Sequence, residues 1–288
     1  MANLKDIRDQ IKSVKSIQKV TKAMKMVAAA KMRRAQENME KARPYTSKLN
    51  NMLNSLIPEI DRSILPELES RAAIDHKLFV VITADRGLAG AFNSNVIKMA
   101  QKAIDDFGRD QSVLICIGKK SLSHFKIRKY NIIEDYIDFW SELGFQHAIS
   151  MGEKIISHFI SGESDEVQVI YNKFINVGKQ EVQHEKFLPL TYEIQEESSY
   201  ILTDRIYEPS KASVVKAMVP KYLNTQIWQY LLESFASEQA ARMVAMENAT
   251  ENAGEMISDL SLEYNKARQA AITTEIIEIV SGANALEA

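Results

Sequence analysis

Apolar residues recur at helical spacing along both ends of the chain. From Leu4 to Val27 they fall three or four residues apart, and the same spacing resumes from Ala28 to Ala42. Such spacing places apolar side chains on one face of an α-helix. The first stripe comprises Leu4, Ile7, Ile11, Val14, Ile17, Val20, Met24 and Val27, and a second stripe comprises Met246, Ala249, Ala253, Met256, Leu260, Tyr264, Ala267 and Ala271.

The middle of the chain follows a different pattern, in which short apolar runs alternate with helix-like segments. Strands that alternate with helices are typical of a parallel sheet. We therefore predict a Rossmann-like α/β domain with a largely parallel sheet. The strand-like runs are KLFVVITAD (77–85), SVLICIG (112–118) and EVQVIYNKFIN (166–176), and the helix-like segments are FNSNVIKMAQKAIDDF (92–107) and SELGFQHAISMGEKIISHFISG (141–162).

Glycine and proline indicate where these patterns change. Residues 1–75 contain no glycine, and eight of the ten glycines lie between Gly87 and Gly178. No proline precedes Pro44 or follows Pro220. Because both residues interrupt regular structure, the two ends are expected to be long and unbroken. We predict an N-terminal coiled-coil helix over residues 1–58, a central α/β domain over 75–195 and a C-terminal coiled-coil helix over 209–286.

Charge indicates that the two terminal helices pair with each other. Residues 1–43 carry twelve Lys or Arg against four Asp or Glu, a net charge of +8. Residues 231–288 carry three Lys or Arg against ten Asp or Glu, a net charge of −7. Opposite charges favour this pairing over self-pairing of either helix. With a domain between them, the helices are expected to form an antiparallel coiled coil that projects from it.

Composition excludes several classes of protein. Hydrophobic residues make up 45% of the chain and the net charge is −2, which is ordinary for a soluble globular protein. No apolar run approaches the roughly 20 residues of a membrane span, and MANLKDIRDQIK has no apolar signal-peptide core. The single cysteine, Cys116, excludes a disulfide framework and a cysteine-based metal site. We therefore expect a soluble intracellular protein.

The candidate chemical motifs do not form a catalytic site. TADRGLAGAFNSN (83–95) lies where a phosphate-binding loop would lie, between a strand and a helix, but it lacks GxGxxG. IGKKS lacks the rest of a P-loop, the five histidines form no metal-binding pattern, and GxSxG is absent. We therefore predict a tight turn at 83–95, with no catalytic residue, no metal and no cofactor.

The last helix carries more apolar surface than a helix pair can cover. Ile272, Ile276, Ile277, Ile279 and Val280 span an arc of roughly 160° at about 100° per residue. Because a bare patch of this kind is typical of an interaction site, we expect a second protein to enclose it. The lysines of the first helix are consistent with nucleic acid or a membrane surface, but the acidic partner helix and the missing aromatics favour a solvated face.

Six stretches of the sequence resemble the gamma-subunit family of bacterial F-type ATP synthases, over essentially the whole chain. The resemblance implies a non-catalytic rotor shaft that couples proton flow to ATP synthesis or hydrolysis. It implies alpha and beta subunits, an epsilon subunit and a ring of membrane c subunits as partners, with peripheral attachment to the cytoplasmic face of the bacterial plasma membrane. The stretches are IRDQIKSVKSIQKVTKAMKMVAAAKMRRAQ, TADRGLAGAFNSN, YNKFIN, IYEPS, SEQAARMVAMENATENA and YNKARQAAITTEIIEIVSGA.

The same resemblance implies roles for individual residues. Contacts between rotor and stator are implied for Met24, Arg242, Arg268, Gln269, Thr273 and Glu275, a bearing tip for Ile276, Ile277 and Val280, and a foot on the c-ring for Tyr207 and Glu208. From the residues alone, Met24 could instead pack in the helix seam and Arg242 could pair with Glu238 one turn earlier. Tyr207 and Glu208 could simply precede a proline-terminated turn.

Two other functions remain open from the sequence alone. A stand-alone coiled-coil scaffold or tether would explain the long helices but not the specific tail. A small nucleotide-binding enzyme that uses the 84–95 loop would leave the projecting helices unexplained.

Overall fold

The computed structural model describes residues 4–61, 65–69, 71, 73–190, 207–208 and 210–287. The chain divides into two compact units, one made of residues 1–28 with 243–288 and the other of residues 29–242. Two long helices, α1 (Leu4–Leu56) and α5 (Lys211–Glu287), contribute to both units. Residues 191–195 of the predicted central domain and residue 209, the predicted start of the last helix, lie outside the described residues.

The 29–242 unit is built around a five-stranded sheet with strand order β3-β2-β1-β4-β5. Neighbouring strands are parallel except β4 and β5, which are antiparallel. The prediction of an α/β fold with a largely parallel sheet is therefore confirmed. The elements are β1 (Lys77–Ile82), α2 (Phe92–Phe107), β2 (Ser112–Ile117), α3 (Lys119–Ile127), β3 (Ile132–Tyr136), α4 (Phe145–Ile160), β4 (Glu166–Asn176) and β5 (Lys179–Leu188).

Both faces of the sheet are covered, which explains why its central strands are continuously apolar. In β2, Leu114 and Cys116 belong to a core cluster with helices α2 and α3. Ile115 and Ile117 belong to a second cluster on the other face, with α4 and with parts of α1 and α5. Burial raises the pKa of the Cys116 thiol to about 12, so this cysteine is a core residue.

The other unit is a pair of helical segments whose seam departs from the predicted stripe. Leu4, Ile7, Ile11 and Val14 lie on the seam as expected, but from there Gln18, Thr21, Lys25 and Ala28 face inward. The predicted seam residues Ile17, Val20 and Val27 are instead 52%, 57% and 56% exposed. The observed seam alternates spacings of three and four without interruption, as a heptad repeat requires. The second stripe shows the same change, because Met256 is exposed and Ile257 is half-buried.

Polar contacts across this seam define an antiparallel register. The Thr21 and Thr250 hydroxyl oxygens lie 2.7 Å apart, and Lys25 forms an ion pair with Glu247. Gln18 Nε2 reaches the Thr250 carbonyl oxygen at 3.5 Å. As residue numbers rise in α1 they fall in α5, which confirms the predicted antiparallel pairing. A polar layer of this kind can specify the register of a coiled coil.

Candidate contact surfaces

The C-terminal part of α5 exposes large apolar residues, among them the three that the family resemblance assigns to a bearing tip, Ile276, Ile277 and Val280. Every residue from Gln269 to Ala283 is exposed. The exposed fractions of the large apolar side chains lie between 47% and 65%. An exposed apolar patch of this kind is typical of sites that bind other proteins. The large apolar side chains are Ile272, Ile276, Ile277, Ile279 and Val280.

Below this tip lies a group of exposed polar side chains that includes Arg268, Gln269, Thr273 and Glu275. The Thr273 hydroxyl donates to the Gln269 carbonyl oxygen at 2.9 Å, within the helix. Arg268 forms no ion pair with any described residue, so its planar guanidinium is available to a carboxylate of another protein. The contact of these four polar residues with a partner protein stays a prediction.

Helix α1 presents a second apolar surface, made by Ile17, Val20 and Val27. Met24 lies beside it and is half-buried. The sequence assigned Ile17, Val20 and Val27 to the seam, so reasoning from hydrophobicity missed them as surface residues. A strict heptad count from Leu4 would have found them, because it places residues 18, 21, 25 and 28 on the seam.

Arg242 is engaged within the chain. Its side chain is 12% exposed, forms an ion pair with Glu238, and donates from Nη2 to the Gly87 carbonyl oxygen at 3.1 Å. Burial raises the pKa of the Glu238 carboxyl, and the guanidinium only partly offsets this effect. Arg242 therefore ties α5 to the loop after β1. Its additional contact with a partner subunit stays a prediction.

The loop after β1 is a braced turn. The Asp85 carboxylate accepts from the backbone N–H groups of Lys119 and Asp138, both at 2.9 Å. The next two N–H groups of α3 donate to the Ala84 carbonyl oxygen and to Thr83 Oγ1. A helix N-terminus binds phosphate through free N–H groups, and here the first three are occupied. This geometry leaves none of these three groups free for a phosphate at the IGKKS segment (117–121).

The candidate foot is described at two residues only. Tyr207 is half-buried and packs against the core of its unit, and the Lys211 ammonium lies 5.3 Å from its ring centroid. Glu208 is exposed. Ile206 and Pro209 of the same motif lie outside the described residues.

Neither a metal centre nor a membrane span is found in the part of the chain that the structure describes. No group of three or more His, Cys, Asp or Glu side chains there could hold a metal ion. Within the same residues, no helix has the length and hydropathy to cross a membrane.

Comparison with known proteins gives one family. The family model described as "ATP synthase" matches residues 3–286. The ATP synthase gamma chain of Chloroherpeton thalassium is 48% identical over an alignment of 301 positions, covering 100% of this chain and 99% of that protein. The gamma chain of Prosthecochloris aestuarii is 50% identical over 292 residues, with 100% and 99% covered.

Solved structures give the same result for the fold. A chain in the central stalk and c-ring of the Tetrahymena thermophila mitochondrial ATP synthase is 26% identical, with a TM-score of 0.62, covering 80% of this chain and 99% of that chain. A chain in the rotor of the Euglena gracilis enzyme is 20% identical, with a TM-score of 0.64, covering 93% and 98%. At 20% identity, the comparison with the Euglena gracilis chain supports a shared fold and nothing more.

Proposed function

Because the chain belongs to the gamma-chain family of ATP synthases, we propose that it is the central rotor shaft of an F-type enzyme. The shaft couples proton flow through the c-ring to ATP synthesis, or to hydrolysis, at the catalytic beta subunits. It performs no bond chemistry itself. The observation that carries this function is the identity of 48–50% with gamma chains over essentially the whole length of both proteins.

The mechanism follows from a difference in symmetry. Three beta subunits form a nearly threefold ring, whereas a pair of helices has no threefold axis. Each beta subunit therefore meets a different side of the shaft. Contacts that differ in free energy between conformations shift each beta subunit towards a different state. Rotation moves every beta subunit through binding, synthesis and release, and reciprocal coupling lets hydrolysis drive the opposite rotation.

The exposed surfaces of the helix pair supply candidate contacts with the alpha and beta subunits. The apolar side chains Ile276, Ile277 and Val280 form the bearing tip. Arg268, Gln269, Thr273 and Glu275 lie next to it and provide charge and hydrogen-bonding groups. On α1, Met24 contacts a beta subunit together with the exposed apolar side chains around it.

The α/β unit meets the rest of the rotor. Tyr207 and Glu208 form the foot on the c-ring, and the epsilon subunit binds the same unit. The chain is attached to the membrane only through these partners, at the cytoplasmic face of the bacterial plasma membrane.

Affinity purification of the tagged full-length chain from gently solubilised membranes of its host tests this function. We expect alpha, beta, epsilon and c subunits to be recovered with ATPase activity. A chain that ends at Arg268 lacks the tip, and we expect it to retain the epsilon and c subunits but to lose the activity. A matched chain that ends at Gly282 keeps the tip and should retain both. Recovery of an unrelated partner, or of the chain alone, would support a scaffold function instead.

A further inference from the structure

A mostly apolar groove of about 560 Å³ lies within the 29–242 unit, between helices α1, α4 and α5. Small-molecule sites in proteins have volumes of roughly 300–1,000 Å³, apolar walls and a few polar groups. The groove therefore has the size and the composition of such a site. The residues that matter here are Tyr45 of α1, Phe145 and Ile149 of α4, and Lys221, Asn224 and Trp228 of α5.

Three aromatic side chains form much of the apolar wall. The Phe145 and Trp228 rings meet edge to face, with their centroids 6.0 Å apart and their planes at 90°. Trp228 is partly buried and packs against the core of its unit. Tyr45 and Phe145 are 55% and 42% exposed, so a large part of each ring is free to contact another molecule. Aromatic rings pack against such side chains in offset-stacked or edge-to-face geometry.

The wall also carries nitrogen donors that have no partner. Lys221 is exposed and forms no ion pair with any described residue. Asn224 lies one turn further along the same face of α5, and its amide oxygen is buried beside Gly152, where an added Cβ would lie 2.0 Å from it. The Nδ2 group, on the other side of the amide, donates to none of the described residues. Two such donors suit a carboxylate, which only accepts hydrogen bonds.

The charges of the groove select the sign of a ligand. Among the described residues that line it, Lys221 is the only charged one. Lys41 and Lys48 of α1 and Glu153 of α4 lie one helical turn from lining residues, so the surroundings add a net positive charge. An aromatic wall can attract a cation, but these lysines disfavour one here.

We propose that this groove is a binding site for a small aromatic carboxylate. Lys221 and Asn224 donate to the carboxylate oxygens, and the ring of the ligand packs among Tyr45, Phe145 and Trp228. The site is independent of the rotor function, since it uses none of the residues assigned to partner contacts.

Isothermal titration calorimetry of the full-length chain with sodium 2-naphthoate at neutral pH tests the proposal. A ligand of about thirteen non-hydrogen atoms in an open groove has modest affinity, so we expect saturable binding with a Kd on the order of 0.5 mM. 2-Naphthylmethylammonium has the same ring and the opposite charge, and we expect its affinity to be at least about fivefold lower. Equal affinity for the two ions would overturn the proposal.

Two lysine variants locate the site. Lys221→Met keeps the apolar length of the side chain and removes its charge, and we expect it to weaken 2-naphthoate binding about threefold, as for an exposed ion pair. Lys216→Met makes the same change at an exposed position of α5 that does not line the groove, and it should leave the Kd unchanged. Equal Kd values for the two variants would place the ligand elsewhere and overturn the proposal.

A third variant tests the aromatic wall separately from the charge. Phe145→Ala removes an exposed ring, and we expect it to weaken the binding of both naphthyl ions. Far-UV circular dichroism checks that all three variants are folded. If Phe145→Ala binds 2-naphthoate as tightly as the parent chain, or if the parent gives no more heat with 2-naphthoate than with sodium acetate, the groove is not an aromatic carboxylate site.

Discussion

Gly118 holds the turn between β2 and α3 in a conformation that other residues adopt only with strain. Its φ is +95°, and an added Cβ would lie 2.1 Å from the Thr83 carbonyl oxygen. The left-handed backbone alone costs about 1–2 kcal/mol in a residue with a side chain, and the clash adds to it. We therefore predict that Gly118→Ala lowers the free energy of unfolding of this unit by about 3 kcal/mol or more, measured by urea denaturation with tryptophan fluorescence.

A second glycine of the same region supplies the control for this change. At Gly87 an added Cβ would meet only the end of the Lys120 side chain, at 3.9 Å. Gly87→Ala should therefore change the free energy of unfolding by less than about 1 kcal/mol. Equal losses in the two variants would mean that the turn at Gly118 relaxes around the new side chain.

The ion pair of Arg242 with Glu238 gives a further prediction for single residues. Truncating Arg242 to alanine leaves the Glu238 carboxylate buried and unpaired, which costs about 3 kcal/mol. In a Glu238→Gln background the same truncation should cost about 1 kcal/mol, because no buried charge is left behind. Urea denaturation of the four proteins measures this coupling. If Arg242→Ala impairs ATPase activity in the assembled complex without loss of stability, the residue acts through a partner alone.

The sequence could predict part of this arrangement. The spacing of Glu238 and Arg242 by four residues makes their pairing on one helix an ordinary expectation. The bond from Arg242 to Gly87 joins residues 155 positions apart, so it depends on the packing of α5 against the sheet. No local pattern contains that information.

At the scale of elements, the sequence predicted best where both faces of an element are buried. The spans of β1, β2 and β4 follow the apolar runs closely, because central strands between two layers of helices must be apolar. The span of α2 was predicted from the helical spacing of the apolar residues on its one buried face. Helix α3 and strands β3 and β5 were not predicted. Strands β3 and β5 form the two edges of the sheet, and in β5 only Phe187 and Leu188 are buried. A partly solvated edge strand needs few apolar residues.

In the helix pair, by contrast, the hydrophobicity of the residues does not predict which face of α1 is buried. The seam of α1 carries Gln18, Thr21 and Lys25, while Ile17 and Val20 face outward. A stripe of apolar residues normally indicates the core face. It fails here because a second stripe of apolar residues, which is exposed, lies beside the seam on the same helix. We propose that this second stripe contacts a protein that surrounds the helix pair.

The register of this pair can be tested with introduced cysteines. The 2.7 Å distance between the Thr21 and Thr250 hydroxyl oxygens predicts that Thr21→Cys with Thr250→Cys forms an intramolecular disulfide under mild oxidation. The pair Val14→Cys with Thr250→Cys is one heptad, or roughly 10 Å, out of register and should stay reduced. Mass spectrometry of the digested chain identifies the cross-link. Equal cross-linking of both pairs would contradict a fixed register.

At the scale of the whole molecule, the two ends of the chain carry opposite net charges, and part of its apolar surface is left exposed. Its first 43 residues have a net charge of +8 and its last 58 a net charge of −7, yet the pairing seam between them is partly polar. The apolar side chains that a monomer would bury are exposed on α1 and at the tip of α5. Sequence alone could show that a partner is needed, but the partner's surface lies on other chains.

The most direct test of the central claim is single-molecule rotation. Cys116 is fully buried and its pKa is raised to about 12, so a cysteine introduced at exposed Ser123 on α3 can carry a bead specifically. We would assemble this Ser123→Cys chain with immobilised alpha and beta subunits and add ATP. The rotor function predicts rotation in one direction with three pauses per turn, one for each catalytic subunit. ATP hydrolysis with a bead that only fluctuates, or rotation without a preferred direction, would contradict it.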